Sequence, residues 1–137
     1  MQKLIYMCLD LKKFCHRNNE PKVAKKDIVC YKMFKLTENG LESPFRHTKW
    51  NKDKIKNGCI TADCFQTTPH ISLDGSRYIT NGLHCYRHLP YDDLYEKFQY
   101  RCLYPDCIVV MCVIPSGSRY WIGRDDDYCS EKLYLMY

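Results

Sequence analysis

A chain of 137 residues suits one domain built round one core, and 45% apolar against 27% charged residues excludes a disordered tail protein. The net charge of +5 is concentrated at the front: the first 35 residues hold nine Lys and Arg against three Asp and Glu, and the remaining 102 are nearly neutral. No secretory leader is read at the start, so the ten cysteines are expected to stay reduced and not to form a disulfide scaffold, and with no apolar run long enough to cross a bilayer a cytoplasmic protein is expected.

Leu4, Cys8, Leu11 and Cys15 recur at helical spacing and predict an amphipathic helix ending near Asn18-Asn19; a strand through Leu4 to Leu9 is the competing reading. Residues 20–27, with Pro21 and three lysines, read as a charged connector. Ile28 to Leu36 is rich in β-branched, aromatic and thiol side chains, and Glu38-Asn39-Gly40 turns it into a short return strand, Leu41 to Ser43. A basic, irregular loop follows from Phe45 to Asn57. Asp74-Gly75 and Asn81-Gly82 each read as hairpin turns, with Leu83 to His88 alternating as a strand.

Pro90 then opens an expected helix whose Tyr91, Leu94, Tyr95 and Phe98 share a face. Cys107 to Ile114, the most apolar run, is bounded by Pro105 and Pro115 and reads as a central strand buried on both faces. Arg119 to Ile122, the acidic turn Arg124 to Asp127, and Tyr128 to Met136 predict two last strands. These elements predict an α+β fold: a single small domain with a mixed, mostly antiparallel sheet and one or two packed helices. Residues 1–26 would form the N-terminal helix and basic connector, and residues 27–137 the compact domain.

Fingerprints for phosphate loops, helical metal histidines and nucleophile elbows are missing. The spacings Cys59/Cys64 and Cys102/Cys107/Cys112 are marginally allowed for a zinc knuckle, but Cys112 lies inside an apolar strand-like run, an odd place for a ligand, so no metal is expected. Asp125-Asp126-Asp127 lacks the staggered oxygens and distal glutamate of a calcium loop and reads as a solvated turn. Ligand-binding candidates are the basic and aromatic residues Arg46, His47, Lys49 and Trp50 in one loop and Arg119, Tyr120 and Trp121 after the apolar strand: cations neutralise phosphate and aromatic faces stack bases. His84 joins them as an imidazole near a strand end, although Cys85 beside it points to the opposite face. The basic N-terminal stretch offers a phosphate or nucleic-acid contact, the ordinary alternative being a solvated face.

Several segments occur in a telling order: Val29-Cys30-Tyr31-Lys32-Met33-Phe34, Asn39-Gly40-Leu41-Glu42-Ser43-Pro44, Gly82-Leu83-His84-Cys85-Tyr86, Val113-Ile114-Pro115-Ser116-Gly117-Ser118-Arg119-Tyr120 and Asp127-Tyr128-Cys129-Ser130-Glu131-Lys132-Leu133. Over residues 27–135 this resembles a family of small proteins from phages and prophages of gut bacteria. The resemblance implies no reaction. It implies a phage-type binding protein, an anti-defence factor that sequesters a nucleotide signal, as the phage sponges that counter Thoeris-type immunity do, or inhibits a host defence protein such as a CRISPR nuclease. Neither role needs a cofactor or a catalytic residue. A second, fainter likeness is to ADP-ribosyltransferases using NAD, for which Tyr31 and Glu131 would be the catalytic positions and Lys32 departs from the expected Arg or His.

Overall fold

The computed structural model describes residues 9–38, 40–43, 55–89 and 106–136, together with the backbone of 49–50. In chain order its strands are β1 (Leu9–Asp10), β2 (Lys22–Val23), β3 (Ile28–Thr37), β4 (Gly40–Glu42), β5 (Lys49–Trp50), β6 (Cys59–Thr61), β7 (His70–Ile71), β8 (Arg77–Ile79), β9 (Leu83–Tyr86), β10 (Cys107–Ile114), β11 (Arg119–Ile122), β12 (Asp127–Ser130) and β13 (Lys132–Leu135). Every pairing among them is antiparallel.

The fold is therefore all-β among the described residues, which corrects the α+β expectation with its packed helices. The expected N-terminal helix is overturned from residue 9 onward: Leu9 and Leu11 are both buried with Asp10 between them less so, a period of two. Their backbone is tied to strands on both sides, Leu9 and Asp10 to Ile79 and Tyr78, and Lys12 N–H to the Ile122 carbonyl. Turns follow to Asn18. The helix expected from Pro90 lies outside the described residues.

The long strand β3 forms as its composition predicts and is paired along its length with β10, from Ile28 opposite Ile114 to Lys35 opposite Cys107. The main sheet runs β2-β11-β12-β9-β3-β10-β13-β6. Its third and seventh strands, β12 and β13, are consecutive in the chain with Glu131 alone between them. Such a sheet must curl until those two strands meet. Glu131 is the seam: its N–H donates to the Arg119 carbonyl and its carbonyl accepts from Ala62 N–H. The last predicted strand, Tyr128 to Met136, is thus two strands turning a corner.

Inside the curl lie Cys30, Phe34, Ile60, Leu83, Cys85, Val110, Cys112, Ile114 and Leu133. Strand β10 is central, with both edges paired. It is not buried on both faces as expected, because Val110, Cys112 and Ile114 point inward while Met111 is 41% exposed. A second sheet, β1-β8-β7, caps the other face near β11 and β12 through Leu9, Leu11, Ile79, Trp121 and Cys129. Asp74-Gly75 makes the β7–β8 hairpin as predicted, with Gly75 at φ 85. Asn81-Gly82 instead carries the chain from the small sheet to the main one. Gly82 has φ 147, and a Cβ there would overlap the Cys129 sulfur.

Candidate functional site

The candidates from sequence fall in four places. Arg46 and His47 lie outside the described residues. Lys49 and Trp50 form β5, whose backbone pairs with Glu42 and Leu41 of β4. His84 sits on β9 and Arg119, Tyr120 and Trp121 on β11, the two strands that flank β12.

Trp121 is wholly buried, so its indole is core and presents no face for a base to stack on. Its Nε1–H donates to the Gln66 carbonyl at 2.7 Å, and the His16 ring lies against it with centroids 4.7 Å apart. Tyr120 is half-buried, edge-on to Tyr128, on the enclosed side. Arg119 reaches the surface but is neutralised: its Nε donates to Glu131 at 3.0 Å, an ion pair of 2.9 Å joins its Nη2 to the same carboxylate, and its backbone N–H takes the other oxygen. The guanidinium also lies 5.2 Å from the Phe65 ring. Burial raises the Glu131 pKa and the Arg119 contacts lower it, for a net lowering. Glu131 is thus held at the seam by Arg119, while Tyr31 stands on β3 opposite Tyr86 of β9.

His84 does meet a thiol, but that of Cys129 across β9 and β12 and not that of its neighbour Cys85. The sulfur lies 3.9 Å from His84 Nε2. That nitrogen is also 2.7 Å from the Thr80 carbonyl, which can only accept, so Nε2 carries a proton and is not placed to take one from the thiol. Cys129 itself is wholly buried and donates to the Asn81 carbonyl at 3.6 Å. The pair is packing with hydrogen bonds; as a nucleophile and base it is misarranged.

Within the curl, Lys32 is 3% exposed and donates through Nζ to the His84 carbonyl at 2.7 Å, with the Phe34 ring 5.7 Å away. Burial lowers its pKa, and the surrounding thiols, Cys85 and Cys112 foremost, partly oppose that. The thiols themselves are held protonated: burial pushes Cys85 well up and Cys112 to about 12. They are poor nucleophiles and metal ligands in that state. Among the described residues no group of three or more His, Cys, Asp or Glu is placed to hold a metal ion.

Two features went unread in the sequence. Asp127, taken as part of a solvated turn, tucks its carboxyl against Gly123 and Leu9. Its Oδ1 is buried without a hydrogen-bond partner, and burial, reinforced by the carboxylates of Asp125 and Asp10, raises its pKa to about 6 against the pull of its own and the Asp125 backbone amides. His16 is the other: Ile122 N–H donates to its Nε2 at 3.0 Å, so the proton is on Nδ1 and goes to the Glu20 carbonyl at 2.9 Å. Only the tertiary pairing of residues 9–20 with β11 creates either environment.

No family model matches the chain, and no curated protein or solved structure does so either. Among the described residues no helix is long and apolar enough to cross a membrane.

Proposed function

We propose that the chain is a phage-type binding protein that acts in the host cytosol by gripping a defence protein, such as a CRISPR nuclease. The observation that carries this reading is the outward face of β3, β10 and β13. Register places Val29, Val113 and Tyr134 in one row across the three strands, with Met111 two residues along from Val113. Val29 is 51% exposed, Met111 41% and Tyr134 44%. Single exposed apolar side chains are ordinary, but a contiguous set on adjacent strands is the kind of surface that another protein covers. By contrast Trp121 is buried and Arg119 is neutralised, which weakens the nucleotide-sponge arm relative to the protein-binding arm.

The test is complex formation between the purified chain and a candidate host nuclease, read by size-exclusion chromatography and by inhibition of cleavage. The wild type is expected to form a stoichiometric complex, and the double variant Val29→Asp, Met111→Asp, checked for an unchanged circular dichroism spectrum, to lose it. A nucleotide retained through purification with no protein bound would instead favour sequestration. NAD consumption abolished by Glu131→Gln would favour a transferase and overturn the reading.

A further inference from the structure

We propose that the turn after β1, residues 12–17, is a docking point for single-stranded nucleic acid, with Phe14 as its stacking platform. The observation behind it is an outlier: Phe14 has φ 77 and is 66% exposed. A bulky side chain in the left-handed region is held there against its preference, and burying the ring does not offset that cost, because the ring is outside the core.

The loop is nevertheless fixed. Lys12 N–H is bound to the Ile122 carbonyl, Cys15 N–H to the Lys12 carbonyl, and Arg77 Nη1 donates to the His16 carbonyl at 2.6 Å. His16, buried just behind, is bonded at both ring nitrogens. The scaffold therefore presents one aromatic ring on a rigid turn.

Cations surround that ring. Lys13 Nζ lies 5.2 Å from its centroid and the Arg17 guanidinium 6.0 Å. Between residues 12 and 26 there are six Lys and Arg, all exposed, against the single acid Glu20. An aromatic face with flexible cations beside it supplies the two contacts a nucleotide offers, stacking for the base and neutralisation for the phosphate, with no demand on sequence. A nucleobase can take a lysine's place over the ring while the lysine moves to the adjoining phosphate. An acidic peptide would satisfy the cations but has no planar face in every residue for the ring, so nucleic acid is the better match.

This surface is separate from the apolar face of β3, β10 and β13, and its test is independent of it. Fluorescence anisotropy of a labelled oligothymidylate of about 12 nucleotides, titrated with the full chain at low salt, is expected to show binding that weakens steeply as salt rises. Phe14→Gly relieves the left-handed backbone, so it is expected to melt no lower than the wild type and yet bind about tenfold more weakly. Lys13→Ser with Arg17→Ser should lower the slope of log affinity against log salt by about 1.4. Val29→Asp with Met111→Asp should leave this binding unchanged. The proposal is overturned if the oligonucleotide does not bind at low salt, if Phe14→Gly binds as the wild type does, or if polyglutamate binds with the same dependence on Phe14.

Discussion

The two faces of the main sheet hold one ionisable group each against its ordinary state, and they do so by different means. The enclosed face is lined by aliphatic, aromatic and thiol side chains, and there Lys32 is pressed toward the neutral amine with a backbone carbonyl as its acceptor. The opposite face, under β1 and β8, is laced with polar contacts from His16 and Gln66, and there Asp127 is pressed toward the neutral acid with one oxygen unpartnered. The difference teaches that the capped face is the more polar and the more conditional of the two, since it depends on a short strand and a turn staying docked.

The sharpest way to break the comparison is to remove what joins the cap to the sheet. Trp121→Ala deletes the largest buried side chain along with the indole hydrogen bond, and is expected to cost about 4 kcal/mol. Amide exchange should then open first in residues 9–20 and 77–79, with β3 and β10 still protected; loss of protection everywhere at once would show that the two faces are one cooperative unit.

The next effect is pH-dependent. A carboxyl raised from 3.8 to about 6 favours the folded state while protonated, so its contribution is fully present below 3.8 and lost as pH rises through 6. Asp127→Asn is therefore expected to gain on the wild type by no more than about 3 kcal/mol above pH 6, with the gap closing by pH 4. Denaturant titrations at pH 4 and pH 7.5 measure it, and a gap independent of pH would refute the assignment.

Lys32 gives the smallest and opposite signal. Its pKa is lowered, so the unfolded chain holds more protons in the interval below 10.5, and stability rises with pH there. The raised thiols pull the other way above their ordinary value of 9.0, so the comparison belongs between pH 7 and 9. Wild type minus Lys32→Met should climb by at most about 1.4 kcal/mol per pH unit; a flat difference would mean that Lys32 stays charged in the folded protein.

Much of the strand pattern was legible in the sequence. Val29 to Phe34 and Cys107 to Ile114 carry enough β-branched and aromatic residues to be read locally, and Asp74-Gly75 has the chemistry its turn requires. What could not be read is long-range. Leu11 and Cys15 fit a helical spacing as well as Leu9 and Leu11 fit an alternating one, and only partners some 70 to 110 residues away decide between them. The surroundings of two site candidates were hidden for a related reason: Arg119 and Trp121 look like exposed recognition residues until Glu131 and Gln66 are brought to them. Phe14 stands in the sequence among Lys12, Lys13 and Arg17, but its left-handed backbone and its exposure could not be read there, because the helical reading covered that stretch.

The one-residue corner at Glu131 also decides what has to close last. Strand β10 can pair with β3 on one edge, yet its other edge and the Leu133 side of the core stay unfilled until residues 132–135 turn the corner and dock. A chain in which that corner has not closed holds a bare strand edge and an uncovered cysteine-lined core, the form most in need of a chaperone.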